Sequence, residues 1–341
     1  MEKIFITCGD VNGIGNELIL KFIHQNDLIA KTAYIIIGNR DVFEETALIL
    51  NYKTDTINSI TERAIGKLEN AGFFFLDIKT EGLKLELGKP AVSAGKLSGE
   101  AIKKGVELCS RHSGALVTCP INKYSLHLGG FNYPGHTEFI AELLGTKDFL
   151  MILDGEIIKV ALVTTHLALK DVSASLSSDS IFRKGKLLYE SLIKDYGLTN
   201  PKITVCSLNP HAGDSGLFGD EEYKIILPAV EKLNIEVCKG KAGFTGPLPS
   251  DTAFTKSFLK KTDAYLVMYH DQGLIPLKLL SFGSAVNFTA GLPIVRTSPD
   301  HGTAYDIAGK GIAEINSFKI AVKKAELFLY NRKNFNHQKI S

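Results

Sequence analysis

The sequence predicts an α/β fold, on three observations. Short runs rich in β-branched residues, such as Ile4-Phe5-Ile6-Thr7 and Tyr34 to Ile37, alternate with longer stretches whose apolar residues recur at helical spacing, beginning with Glu17 to His24. That alternation is what strands and covering helices produce. Several apolar runs stop abruptly at polar clusters, and open α/β sheets bind ligands at the carboxyl ends of their strands. With 341 residues, 45% of them hydrophobic, the chain can fill a large α/β unit or two lobes.

In chain order, further strands are expected at Gly72 to Leu76, Ala115 to Thr118, Phe149 to Leu153, Lys159 to Thr164, Ile203 to Ser207, Glu236 to Lys239, Ala264 to Tyr269 and Ala285 to Thr289. Helices are expected at Leu97 to Ser110, Glu138 to Leu144, Asp179 to Asp195, Glu221 to Leu233, Pro249 to Lys260 and Ile320 to Tyr330. Asp179-Ser180 and Ser250-Asp251 suit helix starts, because their side chains accept from orphan amides. No repeat or low-complexity linker marks a boundary. Residues 1–331 are therefore read as one catalytic unit of two interwoven lobes, and 332–341, polar and without periodicity, as a flexible tail.

Composition excludes some function classes. Thirty-nine basic and 37 acidic residues leave a net charge of +2, too little for a field that holds nucleic acid non-specifically. Cys8, Cys109, Cys119, Cys206 and Cys238 form no C-x-x-C pair, which fits free thiols in the reducing cytoplasm. The opening MEKIFITCGD has no secretory pattern, and the apolar runs fall short of the roughly 20 residues a bilayer needs, so no membrane association is expected.

The chemistry gathers at strand ends. "VALVTTHLALKDV" carries His166, "SLNPHAGDSGLFGDEE" carries His211 and "YLVMYHDQG" carries His270. Three neutral imidazoles are a common donor set for a catalytic divalent metal, and three leave a position open for substrate. Singly, each is more often a hydrogen-bonding or core residue than a ligand, and three in equivalent positions shift that balance.

Two more segments suit an anion. In "YPGHTEFIAELL", His136-Thr137 would open a helix whose exposed amides attract carboxylate or phosphate, with an ordinary Thr cap as the alternative. "LKLLSFGSAVNFTAGLPIVRTS" places Lys278, Asn287 and Arg296 on neighbouring elements, where Arg can fork onto an oxyanion. "CGDVNGIGNEL" lacks the third glycine of a dinucleotide fingerprint, since Leu18 stands in its place. "SPDHGTAYDIAGKGIA" instead combines glycines with a histidine able to contact a base and an aspartate able to accept from ribose.

Together the segments "GDVNGIGNE", "VTCPINK", "GHTEFIAELL", "ALVTTHLALKDV", "SLNPHAGDSGLFGDEE", "GPLPSDTAF", "YHDQGLIPLK" and "AVNFTAGLPIVRTSPDHGTAYDIAGKG" resemble, in order, the 4-hydroxythreonine-4-phosphate dehydrogenase (PdxA) family of vitamin B6 biosynthesis. The resemblance runs from residue 9 to residue 311. It implies an isocitrate/isopropylmalate dehydrogenase-like fold, two α/β lobes with a central cleft, and a homodimer whose active site lies at the subunit interface. It implies one divalent metal (Zn, Mg or Co) on His166, His211 and His270, with one ligand donated by the partner subunit. His136, Thr137, Lys278, Asn287 and Arg296 are implied substrate contacts. NAD, with NADP the alternative, is implied along His301, Gly302, Thr303, Ala304 and Asp306. Lys123, Asp251 and Asp271 are candidates for proton relay or for orienting their neighbours, against simpler readings as strand-end, helix-cap and turn residues.

The implied reaction oxidises the secondary alcohol of 4-phosphooxy-L-threonine to 2-amino-3-oxo-4-phosphooxybutanoate, which decarboxylates to 3-amino-2-oxopropyl phosphate. A related dehydrogenase of phospho-threonate or phospho-erythronate is the first alternative, and a metal-dependent phosphohydrolase is one of a different class. Val11, Asn16, Cys119 and Ala168 depart from the family pattern, three of them where the family has proline, and touch turn rigidity rather than any proposed contact.

Overall fold

The computed structural model describes residues 1–25 and 31–340, with side chains to residue 337. The elements follow in order as β1 (Glu2–Thr7), α1 (Gly15–His24), β2 (Thr32–Gly38), α2 (Arg40–Ile49), β3 (Ile57–Ser59), α3 (Glu62–Ile65), β4 (Gly72–Asp77), α4 (Val92–His112), β5 (Ala115–Thr118), α5 (Lys123–Leu128) and α6 (His136–Leu143). Next come β6 (Leu150–Asp154), β7 (Lys159–Leu162), α7 (Leu169–Ser175), α8 (Ser178–Lys194), β8 (Ile203–Cys206), α9 (Leu227–Lys232), β9 (Phe244–Leu248), α10 (Ser250–Ala253), α11 (Lys256–Leu259), β10 (Ala264–Val267), α12 (His270–Ser281) and β11 (Val286–Ala290). The chain ends with β12 (Val295–Pro299) and α13 (Asn316–Ile340). Among the described residues no helix is long and apolar enough to cross a membrane.

The chain divides into two units, each made of two segments: Met1–Lys147 with Leu292–Leu329, and Asp148–Gly291 with Tyr330–Ser341. In the first, neighbouring strands run β3-β4-β2-β1-β5-β12 and every pair is parallel. Parallel strands are covered on both faces and read as continuous apolar runs, and β2 is buried at every residue. Its core includes an aromatic knot, in which Phe22 meets the rings of Tyr34, Phe73 and Phe318 edge-on at 5.5–5.9 Å. In the second unit the order is β11-β6-β7-β10-β8-β9, antiparallel at β11-β6 and β6-β7 and parallel beyond. Leu153, Val160, Leu162, Cys206, Tyr265, Val267 and Leu277 pack between this sheet and its helices.

The expected strands are present to within about two residues, with one exception. Residues 236–239 are not a strand. Leu233–Val237 is a π-helical turn continuing α9, and Asn234 fastens it by accepting from the amides of Gly243 and Phe244, so that β9 takes the sheet position instead. The expected helix from Pro249 breaks into α10 and α11, because the Thr255 hydroxyl donates to the Thr252 carbonyl between them. Helix α8 begins earlier than its expected Asp179-Ser180 start: Ser177 is the cap, and Ser180 closes a capping box on it.

Two larger differences bear on the site. Residues 270–273, expected as a turn, are the first turn of α12. Gly273 is required there for close approach, since a Cβ would lie 2.2 Å from Val160 Cγ1. The segment expected as a tail from 332 continues α13 to Ile340; Ser341 lies outside the described residues. Arg332 is buried and pairs through Nε with Asp195, whose other oxygen accepts from Ser191 Oγ.

Glu326 on α13 accepts from the Tyr34 hydroxyl at 2.5 Å, and burial raises its pKa to about 7, against opposing effects of that bond and of Lys323. A carboxyl whose folded pKa exceeds its unfolded value favours the fold while protonated, and this contribution fades as pH rises through the folded pKa. Glu326→Gln should therefore melt with wild type near pH 4.5 and be more stable by about 1–2 kcal/mol at pH 8, a figure that allows for partial exposure. Thermal denaturation across that range measures the divergence; a pH-independent offset would contradict it.

Candidate active site

Three loops leave the carboxyl ends of the neighbouring strands β1, β5 and β12 in the first unit. Asp10 N donates to the Pro120 carbonyl at 2.9 Å, and Ile14 N to the Thr303 carbonyl at 3.0 Å, so the turn after β1 is fastened to the loops on both sides. Asp10 is fully buried and accepts from the Asn12 amide at 2.9 Å and the Tyr305 hydroxyl at 2.8 Å. Burial pushes its carboxyl up, and the bonds from Tyr305, Asn12 and Ser125 oppose that. Asn12 in turn holds the Glu86 amide and the Lys89 carbonyl.

The segment His301, Gly302, Thr303, Ala304 and Asp306 is thus anchored at Thr303 and Tyr305. His301 Nδ1 hydrogen-bonds the Gly302 carbonyl at 3.2 Å; Nε2 is buried without a hydrogen-bond partner, and burial lowers the ring's pKa. The Asp306 side chain is exposed. Lys123, also exposed, starts α5, whose cap is Asn122 accepting from Ser125 N at 2.8 Å.

A charged cluster lies beside these loops in the same unit. Arg296 on β12 is 2% exposed and donates from Nη2 to Thr118 Oγ1 at 2.8 Å. Burial lowers its pKa to about 10, partly offset by Glu138. His136 is the first residue of α6; its Nε2 is buried without a hydrogen-bond partner, and burial together with Arg296 holds the ring well below the ordinary histidine pKa. Thr137 is buried one residue into the helix, and Gly135 occupies the cap position in its place. The planar fork of a guanidinium matches the oxygens of a carboxylate or phosphate.

In the second unit β7, β10 and β8 are parallel neighbours, and a candidate histidine follows each. Thr164 ties the first two exits together, its amide and hydroxyl both donating to the Met268 carbonyl at 3.2 and 2.6 Å. His166 and His270 stand with ring centroids 6.0 Å apart and, with Thr165, Leu169, Val172 and Tyr269, line a cavity of about 510 Å³. His270 Nδ1 donates to Asp271 at 2.6 Å, the arrangement that leaves Nε2 for a metal. A divalent ion therefore suits this pair chemically.

The His211 ring lies 6.4 Å from that of Phe218. Among the described residues no group of three His, Cys, Asp or Glu side chains is placed to hold a metal. His211 belongs to the turn Pro210–Gly216, in which residues 211–215 all have positive φ. Each non-glycine residue there costs roughly 1–2 kcal/mol. Lys278 is exposed in the last turn of α12, eight residues or roughly 12 Å of helix from His270. Asn287 on β11 has a buried Oδ1 without a hydrogen-bond partner among the described residues. Asp251 is exposed and accepts from the next amide, Thr252 N, a local turn contact.

Gln272, given no role by the sequence, is central to this group. Its Oε1 accepts from Met268 N at 2.6 Å, and its Nε2 donates to the Ser207 carbonyl at 2.5 Å and to Ser250 Oγ at 2.9 Å. Asp10 and Tyr305 were likewise missed. For Asp10 and Gln272 the available signal was a polar residue shortly after an apolar run, the same signal that singled out the histidines; Tyr305 had no such signal.

Residues 30–325 match the family model described as pyridoxal phosphate biosynthetic protein PdxA. The chain is 40% identical over 334 residues to the 4-hydroxythreonine-4-phosphate dehydrogenase of a Sulfurihydrogenibium species, covering 98% of this chain and all of that one. It is also 40% identical over 331 residues to the D-threonate 4-phosphate dehydrogenase of Salmonella typhimurium, covering 95% and 98%. The crystal structure of 4-hydroxythreonine-4-phosphate dehydrogenase from Klebsiella pneumoniae superposes with a TM-score of 0.84 at 36% identity, over 96% of this chain and all of that one. Isocitrate dehydrogenase from Methylococcus capsulatus, at 11% identity and a TM-score of 0.50 over 98% and 87%, shares the fold alone, which is the fold class expected from the sequence. A family match across most of the chain, and full-length relatives at this identity, establish that the chain belongs to the PdxA family.

Proposed function

We propose that the protein is a metal-dependent, NAD-dependent dehydrogenase that oxidises 4-phosphooxy-L-threonine to 2-amino-3-oxo-4-phosphooxybutanoate, which loses carbon dioxide to give 3-amino-2-oxopropyl phosphate. The observation that carries this reading, within a family whose relatives bear that name, is the His166–His270 pair. These are two strand-end imidazoles in one cavity, the second fixed by Asp271. When bound, the nicotinamide accepts the hydride and the divalent ion lends Lewis acidity to the reacting oxygen.

The chain's residues bind, orient and neutralise. Arg296 and Lys278 offset the substrate's phosphate and carboxylate, and an incoming anion relieves the desolvation that lowers the Arg296 pKa. His136, held neutral by burial and Arg296, and Thr137 orient the substrate through hydrogen bonds rather than charge. Asn287 Oδ1 accepts from the substrate's amino group. His301, Gly302, Thr303 and Ala304 follow the cofactor, and Asp306 accepts from ribose hydroxyls, which favours NAD over NADP. Lys123 is assigned to proton relay. Asp251, with its local contact, is assigned no chemistry.

We assign the third metal position to His211, with one of the three ligands donated by the partner subunit of a homodimer. Ile275, Leu279 and Phe282 on and just after α12 are 59%, 80% and 87% exposed, an apolar row that a second copy would cover. Imidazole donors suit Zn and Co, whereas Mg would draw on oxygen ligands from the substrate and water. The five free cysteines fit a cytoplasmic setting. A second reading, oxidation of 4-phospho-D-threonate, is favoured by the equal identity to the Salmonella typhimurium enzyme.

NADH formation, followed by absorbance with each of the two substrates, should appear with one strongly preferred, vanish with chelator and return with Mg²⁺, Zn²⁺ or Co²⁺. No NADH from either substrate with metal restored would sink the dehydrogenase reading. His270→Ala should lose bound metal and at least a hundredfold in turnover together; metal analysis showing full stoichiometry in the variant would remove His270 from the ligand set.

A further inference from the structure

We propose that Glu222 is the positioning residue for His211, acting as a buried carboxylate that clamps the strained turn carrying it. The proposal rests on the reading of His211 as a metal ligand. The turn's left-handed run, His211 to Ser215, is strained at its four non-glycine residues, and contacts from outside the turn fix its entry.

Glu222 supplies that. It is 2% exposed, and its Oε1 accepts from the backbone amides of both Leu208 and Asn209 at 2.8 Å, the two residues that lead into Pro210. Its Oε2 accepts from Asn209 Nδ2 at 3.0 Å. The same oxygen lies 2.9 Å from where a Cβ on Gly213 would sit, so the turn wraps the carboxylate closely enough that only glycine fits at that point, where φ is also +80°.

The clamp does not end at Glu222. Asn209 Nδ2 also donates to Glu221 Oε2 at 2.7 Å, and Glu221 Oε1 accepts from Ser173 Oγ at 2.5 Å, on the helix α7 that follows His166. On the other side Ser207 Oγ donates to the Asn209 carbonyl at 2.9 Å, and the Ser207 carbonyl accepts from Gln272, two residues after His270. One polar chain therefore joins the segments that bear all three candidate ligands, with Asn209 and Glu222 at its centre. The partners of Glu222 are N–H groups rather than a cation, so a glutamine can keep the two backbone bonds through its carbonyl and lose only the bond to Asn209 Nδ2.

The test is Co²⁺ binding to the full-length protein, read by affinity and by the visible absorption of the bound ion, alongside NADH turnover. Glu222→Ala should weaken Co²⁺ at least tenfold and change its spectrum, whereas Glu222→Gln should stay within about threefold of wild type. The KM for NAD should be unchanged in both, because the residues assigned to the cofactor belong to the other unit. If Glu222→Ala does not fold, Glu222→Asp carries the test; its shorter side chain withdraws the carboxylate from the amides of Leu208 and Asn209 and should weaken Co²⁺ by a similar factor. Wild-type affinity and spectrum in the folded variants, with His211→Ala losing Co²⁺, would overturn the positioning role alone. Undiminished Co²⁺ binding by His211→Ala would instead overturn the ligand reading beneath it.

Discussion

A parallel strand cannot turn straight back to pair with its neighbour, and this constraint shapes everything that bears on function here. Each strand must leave the sheet at its carboxyl end through a loop whose amides and carbonyls have lost the ladder and still need partners. The protein meets that need with buried side chains. Asp10 and Asn12 serve the exit from β1, Glu222 the exit from β8, and Gln272 the exits from β10 and β8 together. Loops fastened in this way hold a side chain in one place, which is what a metal ligand or a substrate contact requires.

The two units treat charge differently. In the first, charge is buried at the strand ends: Arg296 on β12 is depressed by desolvation and Asp10 after β1 is raised by it. An anion that reaches Arg296 exchanges water for a guanidinium already desolvated during folding, so that part of its binding cost is met in advance. In the second unit the candidate site presents two imidazoles lining a cavity and the buried amide oxygen of Asn287, while the buried carboxylate of Glu222 is taken up by the backbone amides of the β8 exit. The nearby carboxylate of Asp271 does not add to the cavity's charge so much as fix which ring nitrogen of His270 is available.

Much of this was legible in the sequence because apolar period and its interruption are strong signals. The strands from Ile4 to Ala264 were expected close to where they stand, and the residues that interrupt them, His166, His211 and His270, were singled out for that reason. What was missed depends on packing between distant segments. Nothing near residue 273 announces a helix, because the glycine that suggests a turn is there to let α12 lie against Val160. Glu236 to Lys239 is a short run with Val237 and Cys238 at its centre, yet Glu236 and Val237 belong to a helical turn that Asn234 fastens by accepting from the amides of Gly243 and Phe244. Gln272 and Glu222 look like ordinary surface residues in one dimension, since their partners lie 65 and 14 residues away. The left-handed backbone of the turn Pro210–Gly216 was likewise not anticipated, although its glycines, His211 and Asp214 are residue types that tolerate positive φ.

The choice between the two phosphorylated substrates is a question of charge before it is one of shape. With the phosphate dianionic, the amino acid carries a net charge of roughly −2 and the sugar acid roughly −3, because one presents an ammonium where the other presents a hydroxyl. A carbonyl oxygen such as Asn287 Oδ1 accepts from either group, so a hydrogen bond there does not discriminate strongly. What discriminates is the field around that oxygen. An ammonium gains from nearby carboxylate and loses from nearby guanidinium or lysine, and the sugar acid has the reverse preference. Two relatives named for different substrates are equally similar to this chain, at 40% identity each, so overall identity does not fix the charge around that oxygen.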